Sequence, residues 1–147
     1  MSGITLLVED PKWRTHRGLA ARLTMAAQAA AAAVRLKGDF TILLAGDRKL
    51  HALNRDFRGK DKPTNVLSFP GADGYAGDIA LAYGVTKKEA KAASKTLPDH
   101  AVHLVVHGVL HLAGHDHERP KEARAMESLE VKILERLGIS DPYAAQA

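Results

Sequence analysis

A chain of 147 residues with a formal charge of +4 and a pI near 9.4 is long enough to bury one core without disulfides or a structural metal. It contains no cysteine, which excludes disulfides and thiolate ligands, fits a reducing compartment and leaves imidazole and carboxylate as metal-binding groups. Charged residues near the start (Glu9, Asp10, Lys12, Arg14) and within the Ala-rich stretch from Leu19 to Leu36 (Arg22, Arg35) argue against a signal peptide or a membrane span, so a cytoplasmic location with no membrane partner is expected.

In chain order, Ile4, Leu6 and Val8 alternate as a strand that Pro11 ends. A long helix is expected from about Thr15 to Leu36, with Leu19, Leu23, Ala26, Ala30, Ala33 and Val34 on one face and Gly38 beyond its end. Phe40 to Ala45 is a short strand. Asp47 is expected to cap a helix whose Leu50, Leu53 and Phe57 share a face. A basic loop, Arg58 to Asn65, leads into a strand from Val66 to Phe69, closed by Pro70. A glycine-containing connection then leads to a strand from Gly77 to Ala82, and the two strands are most simply an antiparallel hairpin. Thr86 with Glu89 reads as a capping box opening a helix to about Leu97. Pro98 fits the first turn of the next helix, and Pro120 opens the last one, with Met126, Leu129, Ile133, Leu134 and Leu137 facing inward until Gly138 and Pro142. A loose tail is expected from about residue 141. The order implies a single α+β domain spanning 1–147, a small mixed four-stranded sheet covered by about five helices.

The central helix is set apart by its histidines. Six of the eight lie between His100 and His117, within a run whose Val102, Leu104, Val105, Val106, Val109, Leu110 and Leu112 are too closely spaced for a solvated helix. His107 and His111 are four apart, so their Cβ atoms share a face roughly 5–6 Å apart. Gly114 is placed to end the helix in a left-handed turn, and His117 follows within three residues. His-x3-His-x2-Gly-x2-His has the metzincin spacing of three imidazole ligands and a glycine turn. Three neutral nitrogens leave a fourth position open, as in catalytic zinc sites. The metalloprotease motif places its general base after the first histidine, where this chain has Gly108. A peptidase reading therefore lacks its base, whereas metal-activated water suits a substrate in which charge develops on phosphate. His103, one turn before His107, fits an outer hydrogen-bonding role better than ligation. His115 and Asp116 sit in the turn, and Asp116 is as well explained by turn chemistry as by a role in the site.

HGVLHLAGHDH from His107 to His117, LNRDFRGKDKPTNVLSFP from Leu53 to Pro70, and Gly77, Asp78 and Ile79 together resemble the signature of the YbeY endoribonucleases. The resemblance runs from Asp47 to Gly138. It implies a bacterial, zinc-bound, single-strand-specific endoribonuclease of small-subunit rRNA maturation and ribosome quality control. Rrna precursors are then the substrate, and the ribosome or its proteins are partners. One Zn2+ per chain falls to His107, His111 and His117, and the catalytically important arginine maps onto Arg58. A guanidinium there suits two phosphate oxygens at once, and Lys60 and Lys62 suit the RNA backbone. Two positions depart from the family pattern: His115 replaces the usual tyrosine, and Asn65 the usual aspartate. The alternatives are a metzincin-like peptidase with another base, and a ribosome-associated binding factor whose zinc is structural.

Overall fold

The computed structural model describes residues 3–115 and 118–143. Its four-stranded mixed sheet has the order β1-β2-β4-β3, with β1 (Ile4–Val8), β2 (Asp39–Ala45) and β4 (Tyr75–Ala82) parallel and β3 (Val66–Pro70) antiparallel to β4. The expected hairpin is thus β3 and β4, with Ser68 opposite Ile79. The helices are α1 (Leu19–Ala33), α2 (Asp47–Arg58), α3 (Tyr83–Ala92), α4 (Leu97–Leu112) and α5 (Pro120–Arg136).

Strand alternation divides the interior in two. Phe40, Ile42, Leu44, Ile79 and Leu81 face the main core with α1, α4 and α5. The opposite sheet face sends Ala80, Ala82 and Leu67 against Leu50 of α2 in a smaller cluster. The residue expected to continue the inner face of α2 does not do so. Phe57 is 70% exposed, its ring edge-on to Phe69 at 5.6 Å, because it lies on the last turn of α2.

Three helix starts differ from expectation. α1 begins at Leu19, not near Thr15, since Pro11–Thr15 forms a 3-10 turn that buries Trp13 and aims its Nε1–H at the Ala45 carbonyl, 2.8 Å away. Gly18, at φ 76°, then turns the chain into the helix. Gly46, not Asp47, caps α2. The Asp47 carboxylate instead accepts the Val85 N–H at 2.9 Å, so it caps the neighbouring helix α3. The Thr86–Glu89 capping box does not form, because α3 starts straight out of β4 at Tyr83. Thr86 is buried inside that helix and its hydroxyl donates to the Ala82 carbonyl at 2.6 Å. The α3 helix also ends at Ala92, short of Leu97.

The α4 helix has Pro98 in its first turn and Gly114 at its stop, as its sequence implies, and Thr96 adds an N-cap. The Thr96 hydroxyl accepts the Asp99 N–H at 3.2 Å. At the other end Gly114 has φ 93°. The His115 N–H reaches the Leu110 carbonyl at 3.0 Å and the Gly114 N–H that of His111 at 3.0 Å, the pair of bonds of a Schellman turn. At the chain's end, Tyr143 donates its hydroxyl to Glu130 at 2.6 Å. The described chain is therefore anchored beyond residue 141, and 144–147 lie outside the described residues.

Gly108 explains how closely α4 lies on the sheet. A Cβ built there falls 2.9 Å from a methyl of fully buried Ile79 and 3.2 Å from the Ser68 Oγ, and that Oγ donates to the Gly108 carbonyl at 3.0 Å. Gly108→Ala gains at most about 1 kcal/mol of helix propensity against about 1–3 kcal/mol of overpacking. A melting temperature a few degrees below wild type is expected, and one at or above it contradicts the close contact.

Candidate active site

His100, His103, His107 and His111 form a half-buried stripe along α4. The imidazoles of His107 and His111 converge, with Nε2 atoms 3.0 Å apart and ring centroids 4.6 Å apart. Two nitrogens on one tetrahedral zinc at about 2.0–2.1 Å stand about 3.3 Å apart, so a shift of a few tenths of an ångström gives both rings one ion. Among the described residues no third His, Asp or Glu joins them in a metal-holding group. His117, expected as the third ligand, and Asp116 lie outside the described residues.

The rings open into a cleft of about 760 Å3 walled by Arg58, Lys60, Asn65, Ser68, His115 and Glu118, among others. Arg58 and Lys60 are thus brought together with His107 and His111, from a different element of the fold. Lys62 is not part of that wall.

Its backbone has another task. Asn54, 1% exposed on α2, donates its Nδ2 to the Lys62 carbonyl at 3.0 Å, while its own carbonyl accepts the Lys60 N–H at 3.2 Å. Gly59, at φ 69°, ends α2 immediately after Arg58, and Asp61 reaches back to the His51 Nε2 at 2.7 Å. The basic loop is thereby curled onto the helix that bears Arg58.

Behind the cleft, two carboxylates, Glu130 and Glu89, hold three of the α4 histidines. Glu130 of α5, 1% exposed, faces the His107 Nδ1 at 2.7 Å through one oxygen, and the His103 Nε2 at 2.9 Å and the Tyr143 hydroxyl at 2.6 Å through the other. Burial pushes its carboxyl up, but hydrogen bonds from His103 and His107 outweigh that and bring it down to about 2. Burial, and then the bond to Glu130, push the Tyr143 phenol up. Glu89 faces the His100 Nε2 at 2.9 Å and accepts the Asn65 amide at 2.9 Å. The bond to His100 lowers its carboxyl, working against burial. Asn65 also accepts the Val66 N–H at 2.6 Å. An amide donates on one side and accepts on the other, whereas an aspartate at 65 sets two carboxylates face to face.

The model of the family described as Endoribonuclease YbeY matches residues 10–138. The chain belongs to the YbeY endoribonuclease family. Relatives named Endoribonuclease YbeY include one from Maricaulis maris, 45% identical over 97% of this chain and 92% of that protein, and one from a Chelativorans species, 51% identical over 87% and 83%. A solution structure of a Thermotoga maritima protein matches with a TM-score of 0.63 at 27% identity, over 91% of this chain and 88% of that one. The site residues that sequence reading passed over are Asn54, Ser68, Glu118 and Glu130. Glu130 had a legible signal, a charge in the inward stripe of Met126, Ile133 and Leu134.

One hydrogen bond contributes about 0.5–1.5 kcal/mol, so Asn54→Ala is expected to speed amide hydrogen exchange across 59–65 up to about tenfold with the global fold kept. Unchanged exchange there contradicts the anchoring role of Asn54.

Proposed function

We propose that this protein is a cytoplasmic, zinc-dependent endoribonuclease that cuts single-stranded RNA, with rRNA precursors as substrates and the ribosome or its proteins as partners in rRNA maturation and ribosome quality control. Family membership supplies the reaction class, endonucleolytic cleavage of RNA. The observation that carries the metal reading is the convergence of the His107 and His111 Nε2 atoms, 3.0 Å apart, on a cleft whose wall includes Arg58 and Lys60. His107, His111 and His117 would hold one Zn2+. Such an ion supplies Lewis acidity and an acidified water.

The remaining chemistry belongs to side chains. Exposed Arg58 offers a planar fork to two phosphoryl oxygens and stabilises the charge that builds on them. Lys60 and Lys62 hold the RNA backbone without reading its sequence. The peptidase alternative fares worse on packing: at Gly108, where that chemistry places its glutamate, a Cβ meets Ile79 at 2.9 Å. A structural role for the ion fits poorly with imidazoles that face an open cleft.

Arg58→Ala is expected to slow cleavage of a short single-stranded RNA by about 10²–10³-fold with zinc content and melting temperature unchanged; full activity in that variant refutes the assignment. Product ends identify the nucleophile on the same samples, since a 2′,3′-cyclic phosphate marks attack by the ribose hydroxyl and a simple phosphate marks water.

A further inference from the structure

Glu130 is not among the residues that wall the cleft, and it lies on α5, outside the histidine motif. Its ionised carboxylate has no hydrogen to donate, so each of its three partners must bring one. His107 therefore carries its hydrogen on Nδ1, 2.7 Å from Oε1, and His103 on Nε2, 2.9 Å from Oε2. With Nδ1 occupied, the neutral His107 ring keeps its lone pair on Nε2, and that nitrogen is the one 3.0 Å from the His111 Nε2 at the cleft. The hydrogen bond at one ring nitrogen thus decides what the other offers.

We propose that Glu130 is the positioning residue of this site, selecting the Nδ1–H tautomer of His107 and fixing the ring so that its bare Nε2 is aimed at the metal position. The Tyr143 hydroxyl at 2.6 Å and His103 at 2.9 Å hold the carboxylate itself in place, and with 1% of Glu130 exposed no water is needed to satisfy it. Carboxylate–histidine–metal relays of this form orient the ligand and raise its basicity. The role rests on His107 being a metal ligand, whereas the tautomer does not.

The test is ring-nitrogen NMR on the metal-stripped, full-length protein, joined to zinc affinity by competition with a chromophoric chelator. In wild type, His107 is expected as the Nδ1–H tautomer and His103 as the Nε2–H tautomer. Glu130→Gln presents an NH2 to one of the rings. It is expected to move His107 toward Nε2–H and to weaken zinc binding about 10–100-fold. Tyr143→Phe removes one support of the carboxylate but leaves the bond to His107 in place, so it is expected to keep the Nδ1–H tautomer and to weaken zinc binding less than Glu130→Gln does. An Nε2–H tautomer at His107 in wild type overturns the proposal even if Glu130→Gln does not fold, as does unchanged zinc affinity in a folded Glu130→Gln. A wild type with the expected tautomer but no zinc affinity overturns it differently, by removing the metal reading beneath it.

Discussion

Helix α4 lies closer to the sheet than a side chain at 108 fits without strain, and the site depends on that contact. With Ile79 and the Ser68 hydroxyl filling the space where a side chain at 108 would go, the sheet-facing side of the helix is fixed. The stripe from His100 to His111 is then fixed as well, turned partly toward solvent and partly toward α5. A larger residue at 108 would lift or rotate the helix and carry the His107 and His111 nitrogens with it. The same contact disfavours the glutamate that a metallopeptidase carries at this position.

Packing sets the direction of the helix, and two carboxylates from neighbouring helices set the individual rings. Glu89 from α3 holds His100 and takes the amide of Asn65 at the start of β3. Glu130 from α5 holds His103 and His107. A buried carboxylate such as Glu130 is costly unless its lone pairs are met by donors, and here two histidines and a tyrosine meet them. The polar groups therefore tie α4 to α3, to α5 and to Tyr143 beyond α5. Arg58 and Lys60 reach the same cleft from α2 and its following loop, held by Asn54.

Much of this was legible in the sequence. Apolar period, proline positions and the Gly114 stop located α4 and its end, and alternation located the strands and the β3–β4 hairpin. The four-residue spacing of His107 and His111 by itself implies their shared face. The failures have a common cause, that local propensity does not see the partner across space. Thr86 and Glu89 have the spacing of a cap, yet β4 delivers the chain into α3 three residues earlier and Asp47 caps it from another helix. Phe57 continues the apolar face of α2, yet it lies mostly in solvent. Glu130 was hidden because a single glutamate in an apolar stripe names no partner, and its meaning appears only when α5 is laid beside α4.

The measurement that bears most directly on the site is zinc content by mass spectrometry on freshly purified wild type and His111→Ala, with cleavage of a short single-stranded RNA assayed on the same samples. The expected result is about one zinc per chain and cleavage in wild type, as for a single three-histidine site, and neither in the variant at an unchanged melting temperature. A His111→Ala protein that keeps both its zinc and its cleavage, or a wild type that cuts RNA equally well after its metal is stripped, would contradict a metal-dependent site built on α4.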